Sequence, residues 1–299
     1  MKKWLRLLRF GVISLAVTLS GLVVYISYQR AEFLTQRGLS LPPNTPLEHS
    51  LTYEGLTLTT SDGLKLAAWH VPSQNGAALI VLHGYHGTRA EMLNEAQMLA
   101  RHGYGVLMIE ARAHGDSEGD DITFGLREVL DIRAGLDYLL ARPEVNPERI
   151  GALGNSQGAV TLLLAAAQYP EIKAVVGNSP YASLQDEIAT GVREFAGVPA
   201  FPFAPLIQFF AEQRAGFRAE AVAPVNHIAE IAPRPVLLMQ GGRDTAIPPD
   251  SGQRLYAAAG EPKELWFDPD LGHTEFDTLR AEEYERRVIA FFDKYLLAK

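Results

Sequence analysis

Short, continuously apolar runs alternate with longer segments of helical spacing along the chain after residue 77. A run that is apolar at every position predicts a strand buried on both faces, because successive side chains point to opposite faces of a sheet. Such strands separated by helices predict a mostly parallel sheet that is covered on both sides. The predicted strands are residues 77–82, 105–109, 149–153, 173–177, 235–240 and 264–267, and the predicted helices are residues 91–101, 126–140, 157–169 and 282–297.

A different pattern precedes this alternation. Residues 51–60 and 64–71 alternate apolar and polar positions, which is typical of strands with one buried face. The tripeptide Ser61-Asp62-Gly63 between them is a turn signal. We therefore expect these two segments to form an antiparallel hairpin.

The alternation of strands and helices lapses between residues 181 and 232. Within this stretch, residues 195–210 are rich in phenylalanine and proline. We interpret 181–232 as an insertion that forms a small cap over the sheet. Its apolar segment is consistent both with a pocket for a hydrophobic group and with ordinary packing of the cap.

The N-terminal segment has the pattern of a membrane anchor. Residues 10–28 contain no charged side chain, and at about 1.5 Å per residue such a helix spans the hydrocarbon core of a bilayer. The charges of residues 2–9 are all basic, so the positive-inside rule places the N-terminus in the cytoplasm and the rest of the chain outside it. We therefore divide the chain into an anchor (1–30), a linker (31–50) and a folded body (51–299).

Two other interpretations of the N-terminal segment stay open. A cleavable signal peptide usually has a shorter apolar region, and no clear small-x-small cleavage site follows Tyr28. A buried helix of a soluble protein would normally show a polar stripe. The anchor and the signal peptide both export the body of the chain.

Composition limits the class of protein. With 47% hydrophobic and 21% charged residues, the 299-residue chain has the composition of an ordinary globular protein. It contains no cysteine, which excludes disulfides, thiolate nucleophiles and cysteine-ligated zinc. The net charge is −8 although residues 1–30 carry only basic charges, so the body is more acidic than the whole chain. Nucleic-acid binding needs clustered lysine and arginine, and we expect none here.

A serine lies between the predicted strand 149–153 and the predicted helix 157–169. Residues 154–158, Gly-Asn-Ser-Gln-Gly, fit G-x-S-x-G, the nucleophile elbow. In this motif a tight turn strains the serine backbone and exposes the hydroxyl at the C-terminal edge of the sheet, while the glycines let strand and helix approach. We therefore predict that Ser156 is a nucleophile.

A serine nucleophile needs a base and an acid that orients the base. Asp244 follows the predicted strand 235–240, and His273 follows the predicted strand 264–267. The order serine, acid, histidine is the one that belongs to this elbow. Parallel strands also end at one edge of their sheet, where such sites are built. We predict Ser156, Asp244 and His273 as a catalytic triad.

The oxyanion of an acyl-transfer intermediate needs N–H donors aimed at it. Gln157, at the start of the helix after the elbow, supplies one candidate, and the helix dipole assists it. The loop after the strand 77–82 contains His83, Tyr85 and His86, and the N–H of Tyr85 is the second candidate. We expect His83 to brace this loop and keep His86 as a candidate substrate contact.

These motifs together resemble those of the α/β-hydrolase superfamily over residues 51–299. Residues 110–119 resemble its D-x-R-G-x-G-x-S segment, although Glu110 and Ala113 replace the usual aspartate and glycine. With its anchor and small cap, the chain resembles the membrane-anchored Bem46-like or ABHD-type hydrolases and their serine aminopeptidase-like or lysophospholipase-like bacterial relatives. The resemblance implies an α/β-hydrolase fold and hydrolysis of esters, thioesters or amides through an acyl-enzyme, without cofactor or metal.

We expect the substrate to be a small-molecule or lipid-like ester or thioester with a hydrophobic acyl group, since the anchor and the apolar cap both suit lipids. The candidate substrate contacts are His86, Phe201 and Phe203. A peptidase or amidase is the alternative among enzymes, although the cap shows no obvious acidic cluster for a free amino terminus. A non-catalytic membrane scaffold is the alternative from another class, and the complete triad argues against it. The sequence does not predict the oligomeric state.

Overall fold

The computed structural model describes residues 2–38 and 41–298. Within these residues, eight strands form one sheet. The strands are β1 (Glu54–Thr59), β2 (Lys65–Val71), β3 (Ala78–Leu82), β4 (Gly105–Ile109), β5 (Ile150–Asn155), β6 (Ala174–Asn178), β7 (Val236–Gly241) and β8 (Lys263–Asp268). The α-helices are α1 (Lys2–Thr35), α2 (Leu93–Arg101), α3 (Glu128–Leu140), α4 (Gln157–Gln168), α5 (Leu184–Ala196), α6 (Ala200–Ala215), α7 (Ser251–Ala258), α8 (Phe276–Leu279) and α9 (Ala281–Phe292).

The sheet has the strand order β1-β2-β4-β3-β5-β6-β7-β8. Strand β2 is antiparallel to both β1 and β4, and the remaining neighbours are parallel. Parallel neighbours need crossover connections, and α2, α3, α4, the segment with α5 and α6, and α7 provide them. The predicted hairpin and the predicted α/β-hydrolase fold are therefore confirmed.

Each face of the sheet carries its own hydrophobic core. Leu79 and Val81 of β3 pack into the core that contains residues of α2 and α9. Ile80 and Leu82 of the same strand pack into the core that contains residues of α3, α4 and the cap. Alternate residues of β3 thus face two different cores, and this is why every position of the strand is apolar.

The cap contains two helices, α5 and α6, which the proline and phenylalanine content did not predict. Ser183 precedes α5, and its side chain accepts a hydrogen bond from the Asp186 N–H. Each helix ends at a glycine in the left-handed region, Gly197 at φ 64° and Gly216 at φ 70°. Such glycines commonly end helices because they carry no Cβ to clash.

The N-terminal helix α1 is long and apolar enough from Lys3 to Thr35 to cross a membrane, by length and composition. It continues through Thr35, so the prediction that a linker begins at residue 31 is wrong at that end. After the helix, Gln36 and Gly38 form isolated bridges with Asp121 and His114. The charge at residue 30 marks the end of the apolar stretch but not the end of the helix.

The last turns of α1 pack against the cap helix α6. Ser27, Ala31 and Thr35 are buried, and they recur at a spacing of four residues. Residues at this spacing lie on one face of a helix. The ring of Tyr28 also meets that of Phe210 edge-on, with centroids 5.6 Å apart. This end of the helix is therefore part of the folded body.

Candidate active site

The backbone of Ser156 is held in a conformation that side chains rarely adopt. The residue lies between β5 and α4 with φ 53° and ψ −121°. A positive φ costs energy in any residue other than glycine, so the surroundings must maintain it. The N–H of Ser156 donates to the Asn178 carbonyl at the end of β6 at 2.8 Å. The hydroxyl is thereby presented beyond the carboxyl ends of the strands.

The two glycines of the elbow are required by close packing. A Cβ at Gly154 would lie 2.6 Å from the Ala159 nitrogen, inside the first turn of α4. A Cβ at Gly158 would lie 2.3 Å from the carbonyl oxygens of both Leu82 and His83. Both distances are well below van der Waals contact. The glycines thus let α4 approach β5 and the loop after β3.

Asp244 holds His273 in a defined orientation. The His273 Nδ1 lies 2.8 Å from Asp244 Oδ2, and the carboxyl is fully buried. The other carboxyl oxygen accepts hydrogen bonds from the N–H groups of Ala246 at 2.9 Å and Ile247 at 2.8 Å. Gln240 Nε2 donates to Oδ2 at 3.2 Å. A ring that donates from Nδ1 keeps Nε2 free to accept a proton.

The loops that carry Ser156 and His273 meet at the same edge of the sheet. The last residue of β6 and the one after it link them: the Asn178 carbonyl accepts the Ser156 N–H at 2.8 Å, and Ser179 Oγ accepts from the Thr274 N–H at 3.2 Å. Among the described residues, no hydrogen bond joins Ser156 Oγ to the His273 ring. The nucleophile candidate and the Asp–His pair therefore lie at the same edge of the sheet, with no hydrogen bond between Ser156 and His273 among the described residues.

The loop after β3 passes beside the serine. A Cβ at Gly84 would lie 3.4 Å from the Ser156 Cβ. Within the described part of the chain, neither the Tyr85 N–H nor the Gln157 N–H donates to a protein acceptor. Unsatisfied N–H groups beside a serine hydroxyl are what an oxyanion hole requires. The geometry leaves both groups as the candidate donors.

The side chain of Tyr85 ties this loop to α1. Its hydroxyl donates to the carbonyl oxygens of Phe33 at 3.0 Å and Leu34 at 3.2 Å. Burial raises the pKa of the Tyr85 phenol above its usual range, so the hydroxyl stays a donor. The ring stacks on His86, which meets Phe33 edge-on. His86 therefore packs between the loop and α1.

Two buried histidines brace the same loop. The ring of His83 bonds the Gly84 carbonyl through Nδ1 at 2.8 Å and accepts the Ala111 N–H at Nε2 at 3.1 Å. Burial lowers the pKa of His83 to about 3, so the ring is neutral with its proton on Nδ1. His114 accepts the His86 N–H in the same way at 3.1 Å, and burial lowers its pKa too.

The contacts of the segment after β4 account for the two positions at which it departs from the superfamily pattern. Glu110 forms a buried ion pair with Arg89 and accepts the Arg89 N–H, so the longer carboxylate has a partner. Ala113 has φ 57°, a conformation that glycine adopts more readily. Arg112 bonds Asp131 at 2.8 Å in the interior. These contacts hold the segment in place and do not reach the catalytic candidates.

A cavity of about 490 Å³ lies between α1, α5 and α6. Its walls are mostly apolar, and Phe203 is one of them. Phe201 is 80% exposed and His86 packs elsewhere, so neither lines this cavity. The charged residues on its walls are Arg30 and Glu187. The sequence did not indicate that α1 would contribute to the cavity.

Glu187 is the acidic residue of this cavity. Burial raises the pKa of its carboxyl to about 7. Burial and, to a smaller extent, the charge of Glu187 raise the pKa values of Tyr85 and Tyr181. Leu34 is one of the cavity walls and its carbonyl accepts the Tyr85 hydroxyl, so the cavity borders the Tyr85 side chain.

A buried polar network that sequence reasoning missed lies behind the nucleophile. Glu95 Oε1 accepts from Asn155 Nδ2 at 2.9 Å, and Asn155 Oδ1 accepts from Asn178 Nδ2 at 3.1 Å. Ser179 Oγ continues the chain to Asn178 at 3.3 Å. The network thus runs from α2 to the loop of His273. The network joins residues that are distant in sequence, so no local sequence pattern indicates it.

Glu95 makes folding sensitive to pH. Burial, assisted by the charge of Asp277, raises its pKa from 4.5 to about 7. The folded pKa lies above the unfolded one, so this group costs no stability below pH 4.5 and an increasing amount up to about pH 7. We expect Glu95→Gln to relieve at most about 3 kcal/mol of this cost above pH 7.

This expectation is checked by urea unfolding of the full chain in detergent at pH 5 and pH 8. The gain of Glu95→Gln over the parent chain should be larger at pH 8. Glu220→Gln, at an exposed position, is the control and should show no such difference. A gain for Glu95→Gln that is equal at both pH values would contradict the assignment.

Comparisons with known proteins agree with this architecture. The prolyl oligopeptidase family (peptidase S9) matches residues 90–299. The chain belongs to the prolyl oligopeptidase family. The YqkD protein of Bacillus subtilis is 27% identical over 95% of this chain and 93% of its own length. The α/β-hydrolase domain-containing protein WAV2 of Arabidopsis thaliana is 28% identical over 85% of this chain and 82% of its own length.

Solved structures place this prolyl oligopeptidase family member among esterase-like α/β-hydrolases. An esterase of Pyrococcus furiosus is 30% identical, with a TM-score of 0.76 over 88% of this chain and 98% of its own. An acetyl xylan esterase of Paenibacillus, at 20% identity and a TM-score of 0.64, supports the fold alone. The predicted superfamily is confirmed, and the chain is a hydrolase by family.

Proposed function

We propose that this protein is a serine hydrolase that cleaves carboxylic esters or thioesters of hydrophobic acyl groups. The observation that carries the proposal is the position of Ser156. Its strained backbone presents the hydroxyl at the sheet edge where Asp244 orients His273. Strain of this kind persists at functional sites because the surrounding structure maintains it. Membership of a hydrolase family supports the same reading.

In this proposal, His273 Nε2 takes the Ser156 proton as the serine oxygen attacks the acyl carbonyl. Asp244 stabilises the imidazolium that forms, and the N–H groups of Tyr85 and Gln157 bind the oxyanion. The imidazolium then protonates the leaving alcohol or thiol, and an acyl-enzyme remains. Water enters, gives its proton to His273, and releases the acid by the same steps in reverse. The ring must first close on the serine, a contact that substrate binding often tightens.

Two observations favour an ester over an amide. The 30% identical structural relative is an esterase, and the cavity between α1, α5 and α6 is mostly apolar. The alternative, a peptidase or amidase, is favoured by the family itself. Glu187 also supplies a carboxylate that an amine of a substrate would pair with.

We further propose that residues of α1 anchor the body (51–299, with its cap at 181–232) to a membrane. The apolar length of Lys3–Thr35 supports a span. By the positive-inside rule, the basic residues at positions 2–9 support a cytoplasmic N-terminus with the catalytic body on the other side.

The test uses the full chain in phosphatidylcholine nanodiscs. We expect a fluorophosphonate probe to label one peptide, which mass spectrometry identifies as that containing Ser156. We expect nitrophenyl esters to be hydrolysed with a higher kcat/KM than matched aminoacyl nitroanilides. Faster cleavage of the nitroanilides would favour the peptidase. If the folded chain is not labelled by the probe and hydrolyses neither substrate, the result would favour the non-catalytic scaffold.

A further inference from the structure

The end of α1 is fixed to the catalytic body by more than packing. Arg214 Nη1 donates to Thr35 Oγ1 at 2.7 Å and bonds Asp121 at 2.6 Å. The Ile122 N–H donates to the Thr35 carbonyl at 2.8 Å. Arg37 Nη2 donates to the Gly115 carbonyl at 2.8 Å. A helix tied in this way sets where the membrane lies relative to the body.

The cavity between α1, α5 and α6 follows α1 from the membrane side toward the serine. Ile26 lies within the charge-free residues 10–28, and Leu34 lies two turns farther along the helix. At 1.5 Å per residue, these two wall residues are about 12 Å apart. The Leu34 carbonyl accepts the Tyr85 hydroxyl. One end of the cavity is therefore at the level of the bilayer, and the other is at the candidate oxyanion loop.

The cap exposes apolar side chains at the membrane end. Tyr28 contacts Phe210, and farther along both helices Thr35 contacts Arg214, so α1 and α6 run in the same direction. The first residues of α6 therefore lie toward the membrane. Phe201 there is 80% exposed, and Phe195 at the end of α5 is 74% exposed. Large apolar groups at such a position gain free energy by entering a bilayer.

We infer that this cavity opens to the bilayer and takes the acyl chain of a membrane-resident ester, with the anchor helix as one of its walls. The inference rests on the proposed ester hydrolysis and names its substrate class. Its volume falls within the usual range for ligand sites. In this arrangement α1 is both anchor and substrate-binding element. A lipid reaches Tyr85 and Ser156 without leaving the membrane.

The test uses tryptophan substitutions in α1 to fill part of the cavity. Full-length Ile26→Trp and Leu34→Trp are compared with the parent chain in phosphatidylcholine nanodiscs, with nitrophenyl acetate and nitrophenyl palmitate as substrates. We expect each variant to lower the palmitate-to-acetate ratio of kcat/KM at least tenfold, because acetate needs no chain site. Val17→Trp, deeper in the apolar stretch and not on the cavity wall, is the control. Its ratio should stay within twofold of the parent.

The outcomes separate this inference from the proposed function. If the parent hydrolyses neither ester, the proposed function fails. If the parent hydrolyses both and the ratio is unchanged in Ile26→Trp and Leu34→Trp, the chain binds elsewhere and the inference is overturned. Ile26 is 37% exposed, so its replacement should fold even if that of the more buried Leu34 does not. Fluorophosphonate labelling at the parent rate shows that the serine site of each variant is intact.

Discussion

Replacing Ser156 with alanine is expected to lower kcat for ester hydrolysis by roughly 10⁶-fold, the loss found when a serine nucleophile is removed from a triad. No other group in the proposed mechanism can form the acyl-enzyme. The fold should survive, because the hydroxyl makes no hydrogen bond that alanine would lose among the described residues. Alanine bears the same cost of a positive φ as serine does. The measurement is nitrophenyl butyrate hydrolysis, with circular dichroism to confirm folding.

Two further variants serve as comparisons for Ser156→Ala, one in the triad and one away from the site. Asp244→Asn should lower kcat by about 10⁴-fold, since the amide no longer holds the histidine with its proton on Nδ1. Ser73→Ala, at a serine that bonds the Ala77 carbonyl away from the site, should keep its activity within twofold. A Ser156→Ala protein with more than a tenth of the parent activity would show that another group is the nucleophile.

The sheet could be predicted from sequence because its strands carry a local signal. A strand such as β4 is apolar at every position since both of its faces are buried, and its predicted and observed bounds coincide at Gly105–Ile109. The helices of the cap carry a weaker signal. In α6, Pro205 and a cluster of aromatic residues obscure the helical period, because the helix contacts α1 as well as the body.

The catalytic candidates could also be predicted, since motif, chain order and strand position define them together. Asp244 and His273 follow separate strands, and the parallel register of β7 and β8 brings their side chains within hydrogen-bonding distance. The contact of Tyr85 with Phe33 and Leu34 could not be predicted. It joins residues about fifty positions apart, and Phe33 and Leu34 lie in the part of α1 that the sequence analysis assigned to the linker.

The elbow depends on the absence of a side chain as much as on the serine. At Gly158, a Cβ would meet two backbone carbonyl oxygens at 2.3 Å, and backbone atoms of a central strand and its loop cannot rotate away. The helix α4 would have to move off the sheet, separating the candidate donors at Tyr85 and Gln157. The glycine is therefore needed for packing and for the geometry of the site at once.

We expect Gly158→Ala to destabilise the fold by at least about 3 kcal/mol, the upper end for overpacked cores, because the collision involves backbone rather than side chains. Thermal unfolding measures the loss. Gly177→Ala is the matched control: this glycine is also buried, in β6, but its nearest atoms would lie 3.5 Å from the new Cβ. It should cost less than about 1 kcal/mol. Equal losses in the two variants would mean that the elbow tolerates a side chain, and that the approach of α4 to the loop after β3 is not what shapes the site.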